Sequence, residues 1–139
     1  FARNQPDEAL ALFKQAYDLA PEYQEAGVMY AAALIRAQKD AEADAFIAQL
    51  MEKGWAAHVR IGSAYATRNR YDKVIAIWTE HAKRYPDDIE ARLVLASAYY
   101  AAGDRANAVK TLEAVKNDHP AAKAQADQLI QQIQTGQSL

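Results

Sequence analysis

The sequence contains no cysteine. That excludes disulfides, thiolate nucleophiles and cysteine-based metal sites, and it suits a bacterial cytoplasm or periplasm alike. Histidine is scarce: His58, His81 and His119 are the three present. None has a second histidine at i, i+4, so they do not form a helical zinc pair. An excess of one charge is lacking too. The 16 basic and 18 acidic residues leave a formal net charge of −2, without the positive surplus that nucleic-acid binding draws on. Long apolar runs are missing. Ala26 to Ile35 is the longest stretch near the start without charged or strongly polar groups, about half of the ~20 residues a bilayer-spanning helix needs. We therefore expect no membrane insertion by this segment. The chain opens at Phe1 without a charged and then apolar leader pattern, and we expect a segment of a longer protein. No glycine-rich phosphate loop, serine nucleophile turn or HExxH helix occurs. Asp7, Glu8, Asp87 and Asp88 fall at helix starts, where negative charge favours the helix dipole. The expectation is a non-enzyme with no cofactor and no metal.

Turn formers are few as well, five glycines and four prolines, in a chain that is 51% hydrophobic and rich in alanine. That composition favours long helices joined by short turns. The prolines reveal a repeat. Pro86 and Pro120 are 34 residues apart, and Pro21 and Pro86 are 65 apart, or 34 plus 31. Ala9, Ala43, Val74 and Ala108 follow the same steps of 34, 31 and 34. Each starts a run of helical apolar spacing, such as Val74, Ile77, Trp78 and His81. Upstream sits a second helix with matching small and large residues: Ile61, Gly62, Ala64 and Tyr65 in one repeat, Leu95, Ala96, Ala98 and Tyr99 in the next. Small side chains at Gly62 and Ala96 imply tight helix crossings. Ala102-Gly103-Asp104 provides a left-handed glycine and then an N-cap. Asn69 is expected to hold the same left-handed position one repeat earlier, and Pro86-Asp87-Asp88 to end one helix and offer a capping carboxylate to the next.

This pattern predicts an all-α fold with eight helices, at Pro6–Leu19, Tyr23–Ala37, Ala41–Glu52, Ala56–Arg68, Tyr71–Arg84, Ile89–Ala101, Ala106–Asn117 and Ala121–Gln134. The sequence resembles the tetratricopeptide repeat family. The stretch Ala91 to Asp104, with Ala108 and Pro120, carries the resemblance, and Ile61, Gly62, Ala64, Tyr65, Tyr71 and Pro86 repeat it. The second repeat departs from the pattern, with Gln38 for the turn glycine and Trp55 near the expected proline. The resemblance implies a right-handed α-solenoid of stacked antiparallel hairpins forming a single domain. It divides into the second helix of an incomplete repeat (4–21), three repeats (24–54, 55–88 and 89–120) and a glutamine-rich capping helix (121–134).

The same resemblance implies a groove lined by the first helix of each hairpin. Its register places Val28, Ala32 and Ile35 there, then Val59, Ser63 and Ala66, then Leu93, Ser97 and Tyr100. Arg36, Arg60 and Glu90 form the rim. The Lys, Arg and Asn residues with which some family members grip a peptide carboxylate are absent from these positions. The expectation is a protein-binding scaffold whose apolar groove takes a peptide or partner helix. His58 and His81 are expected to be buried and hydrogen-bonded, and His119 solvated. Of the aromatics Tyr65, Tyr71, Trp78, Tyr85, Tyr99 and Tyr100, all but the last are expected in the core. Two other functions compete with this expectation. The ending Ala124 to Ile133 also resembles the soluble tails of bacterial O-antigen polymerase- or ligase-like membrane proteins. A glycan-processing enzyme would need paired carboxylates in a cleft, and only Glu25 and Glu90 lie near the predicted groove.

Overall fold

A computed structural model describes the backbone of residues 5–136 and the side chains of residues 7–136. Eight α-helices make up the described residues, with no strand among them. They are α1 (Gln5–Leu19), α2 (Gln24–Arg36), α3 (Asp40–Lys53), α4 (Val59–Thr67), α5 (Tyr71–Arg84), α6 (Ile89–Ala101), α7 (Arg105–Asp118) and α8 (Lys123–Gln134), the last preceded by a 3-10 turn at Pro120–Ala122. The all-α class is that of the helical-repeat solenoids. The fourth helix is shorter than its apolar pattern predicts. It begins at Val59 because the His58 side chain caps it, Nδ1 accepting from the Arg60 N–H at 3.1 Å.

The period visible in the sequence is also a period of turns. Gln38, Asn69 and Gly103 have left-handed φ values of 59°, 59° and 85°. Each closes the same motif. Gln38 donates to Ile35 O and Lys39 to Leu34 O; Asn69 and Arg70 donate to Ala66 O and Tyr65 O; Gly103 and Asp104 donate to Tyr100 O and Tyr99 O. Asp104 then caps α7, accepting from the Asn107 N–H at 3.1 Å, and Asp88 caps α6, accepting from the Ala91 N–H at 3.0 Å.

The chain divides into two compact units between Arg70 and Tyr71, inside the third sequence repeat. In the first unit α2 is central, with α1, α3 and α4 packed on it. Eight of its residues are buried, from Ala26 to Ile35. Tyr17, Tyr30 and Phe46 cluster beside it with ring centroids 4.8–6.2 Å apart. The close approach in this unit is at Gly27, where a Cβ would lie 3.2 Å from the buried Leu50. Gly62 is not such a place: nothing lies within 4 Å of a Cβ built there. The tight crossing expected at Gly62 is thus corrected. Within its unit α4 packs mainly on α2, with other faces.

In the second unit α6 lies against α5 and α7, and α7 against α8. The core joins Leu93 and Ala96 of α6, Ala108, Leu112 and Val115 of α7, and Ala126, Ile130 and Ile133 of α8. Opposite this apolar stripe α8 exposes Gln125, Gln128, Gln131 and Gln134. Ala96 is buried in this core.

Candidate functional site

The nine residues assigned to a groove divide sharply. Val28, Ala32 and Ile35 are sealed in the first unit's core, with Val28 and Ile35 wholly inaccessible. Helix α2 is enclosed by three helices, so its apolar residues are spent on packing. Leu93 is also core, among Ala96, Leu112 and Ile130. These four do not line a groove, and that assignment is corrected. Val59 and Ser63 are exposed and Ala66 is half-buried, all on α4. In the second unit Ser97 is exposed and Tyr100 half-buried on α6, with the Arg105 guanidinium over the Tyr100 ring at 5.8 Å.

The α4 face is held firmly from behind. Its inner residues Ile61, Ala64 and Tyr65 are buried. Burial pushes the Tyr65 phenol up to about 12, with the Asp44 and Asp40 charges adding to the effect. At the helix start, Arg60 Nε meets Glu25 Oε1 of α2 at 3.3 Å. At its end, Arg68 reaches across to the junction of α2 and α3. Its Nη1 donates to Ile35 O at 3.0 Å and to Asp40 Oδ1 at 2.7 Å, and its Nη2 to Asp40 Oδ2 at 3.4 Å. This forked contact raises the Arg68 pKa through the Asp40 hydrogen bond. It satisfies a carbonyl at the end of α2 and a carboxylate at the start of α3 together. Sequence reasoning placed Arg60 and Glu25 at the rim but did not pair them, and it missed Arg68. The 28 residues between Arg68 and Asp40 carry no local signal of the contact.

Val59 stands out. It holds the same repeat position as Val28 and Leu93, 31 residues after the first and 34 before the second. Those two are 0% and 6% exposed, whereas Val59 is 75% exposed. An apolar residue is thus kept at a packing position where nothing in its own unit packs on it.

The histidines are each engaged separately. His58 caps α4 and is half-buried rather than sealed in a helix. His81 is half-buried too. Its Nε2 lies 3.1 Å from Asp88 Oδ2, and its ring lies beside Trp78 and Tyr85. Asp88 is held below the usual carboxylate range, first by the Ala91 N–H and then by His81. His119, expected in solvent, is half-buried with Nε2 3.2 Å from Pro86 O, so it ties two equivalent loops together. Tyr85 is 43% exposed, which corrects its placement in the core. Among the described residues no three or more His, Asp or Glu side chains group so as to hold a metal ion. None of the described helices is long and apolar enough to cross a membrane.

A family model described as tetratricopeptide repeat matches residues 1–54 and 65–133. No curated protein matches the chain. The likeness of its ending to the tails of O-antigen polymerase- or ligase-like proteins finds no support. The matched stretches leave out residues 55–64, the segment that holds His58, Val59, Arg60 and Ser63.

Proposed function

The chain belongs to the tetratricopeptide repeat family, and we propose that it is a scaffold that holds a peptide or helix of another protein against the exposed face of α4. Repeats of this family generally mediate protein–protein interaction and are generally not enzymes. One observation carries the location: Val59 is exposed at a repeat position that is buried at both Val28 and Leu93. Burying a valine-sized side chain contributes roughly 1.5–3 kcal/mol, which a partner would gain by covering it. Ser63 and Ala66 lie one and two turns further along the same face. The Glu25–Arg60 pair and the Arg68 fork keep that face fixed on α2, so little ordering cost falls on binding. On α6 of the second unit Ser97 is exposed, while Tyr100 is half-buried against the core.

A photoreactive amino acid placed at Ser63 in the native cell tests this. Discrete protein adducts from Ser63, lost when Val59→Glu is added, are expected. The control position Gln49, exposed on α3, should give none. Equal labelling from both positions, or none from Ser63, refutes the α4 site.

A further inference from the structure

Helix α1 presents an apolar face that its own unit leaves open. Leu12 is 64% exposed, Ala16 and Leu19 are exposed too, and Ala9 and Phe13 are half-buried. The repeat steps of 34, 31 and 34 set this apart from the later helices. Leu12 stands in register with Phe46 and Ile77, Phe13 with Ile47, and Ala16 with Leu50, and all four of these are buried. In α7 the positions of Ala9, Phe13 and Ala16 are held by Ala108, Leu112 and Val115, which are wholly inaccessible. The cover has the same origin in both units: α3 packs on α2 and α7 on α6, in each case the helix that precedes it in the chain. Helix α1 packs on α2, the helix that follows it, and its other apolar side meets water.

Phe1 to Asn4 lie outside the described residues, but their sequence keeps the same register. Asn4 falls at the position of Gln38, Asn69 and Gly103, the left-handed residues that close α2, α4 and α6. Asparagine is, after glycine, a side chain suited to that conformation. Phe1 falls at the position of Ile35, Ala66 and Tyr100, in the last turn of the same three helices. We propose that the open face of α1 is the docking site of a further helix of the same polypeptide, one that ends in a turn at Asn4, runs antiparallel to α1 and is equivalent to α2, α4 and α6. Other occupants fit poorly. The α1 of a second copy would bring only the same few residues, against roughly 20–30 a side in a stable interface. The α8 of a second copy would set exposed glutamines on an apolar stripe. A lipid surface favours basic flanks, whereas Asp7, Glu8, Asp18 and Glu22 outnumber Lys14 along α1 and its following turn. This docking goes beyond the scaffold role and is independent of the α4 face.

The test compares the 139-residue chain with the native polypeptide that carries the residues encoded before Phe1. Both receive Leu12→Cys, in a sequence that has no cysteine of its own, and maleimide labelling at residue 12 is read by peptide mass spectrometry. Labelling should be fast in the 139-residue chain and about tenfold or more slower in the native polypeptide, as for a site that must open locally. Gln49→Cys, exposed on α3, should be labelled equally in both. Leu12→Asp should lower the thermal midpoint of the native polypeptide and leave that of the 139-residue chain unchanged, because there the position faces water. Equal labelling of residue 12 in the two proteins overturns the proposal, and so does a midpoint that Leu12→Asp lowers in neither. A native polypeptide with no helix-forming stretch before Asn4 to match the 13 residues of α2 and of α6 overturns it as well. Slow labelling of the 139-residue chain that speeds up on dilution would make a second copy the cover, and would overturn it too.

Discussion

The left-handed turn residues offer a clean measure of how far backbone conformation alone sets stability. Gln38, Asn69 and Gly103 hold equivalent positions with φ of 59°, 59° and 85°, and the first two are exposed. An ordinary residue costs roughly 1–2 kcal/mol in this region, against about 0.5–1 kcal/mol of extra chain entropy lost when glycine is fixed. Gln38→Gly should therefore stabilise by about 0.5–1 kcal/mol, raising the thermal midpoint by a few degrees for a chain of this size. Asn69→Gly should gain less, because asparagine tolerates the conformation better. Gly103→Ala should lose about 1 kcal/mol. Nothing lies within 4 Å of a Cβ at Gly103, so the loss would be conformational and not steric. Urea unfolding of the three variants, followed by circular dichroism, gives both sign and order. Destabilisation by Gln38→Gly, or no cost from Gly103→Ala, would refute the assignment of the shared turn motif.

Gly62→Ala should stabilise by about 1 kcal/mol through helix propensity, while Gly27→Leu should cost about 1–3 kcal/mol by overpacking against Leu50; chemical denaturation that reversed these signs would mean the two glycines have been exchanged in role. Leu93→Glu buries a carboxylate in the α6–α7–α8 core and should unfold the second unit, whereas Val59→Glu should leave the thermal midpoint within about 0.5 kcal/mol equivalent of the parent. Removal of residues 121–139 should expose Leu93, Leu112 and Val115 and lower the midpoint or cause aggregation, which light scattering would register. For pH, Asp88 has a folded pKa below its unfolded value, so its contribution is present above about pH 4 and is lost as pH falls through the folded pKa. Asp88→Asn should flatten that acid limb of the stability curve. The Tyr65 phenol is raised to about 12, so its contribution is present below about pH 10 and fades as pH rises toward 12; Tyr65→Phe should reduce that alkaline loss, and an unchanged slope would count against its burial as the cause.

The turns were legible because each needs a special backbone conformation, and the steps of 31 and 34 that relate Ala43, Val74 and Ala108 also relate Gln38, Asn69 and Gly103. The caps at Asp88 and Asp104 were legible for a similar reason: a carboxylate next to a helix start has a local partner. The depth of burial around α2 was not. A run such as Ala26 to Ile35 is apolar on nearly every side, so its sequence names no inner or outer face, and the register alone put Val28, Ala32 and Ile35 in a groove. Arg68 was missed because its partners are brought to it by packing and not by spacing.

One repeat position does separate the faces once burial is known. Ala32, Ser63 and Ser97 are equivalent, with steps of 31 and 34. Alanine is found where the position is buried in α2, and serine where it is exposed on α4 and α6. Residue type follows environment here, as the cost of burying a hydroxyl without a partner requires. At the neighbouring position, Val28, Val59 and Leu93, it does not: all three are apolar, yet Val59 is exposed. On α4 the serine therefore marks a surface, and the valine one turn before it marks a surface whose apolar character local packing does not explain. That contrast between Ser63 and Val59 is the reason the proposed binding face is put on α4 and not on α6, where Leu93 is already covered by its own unit.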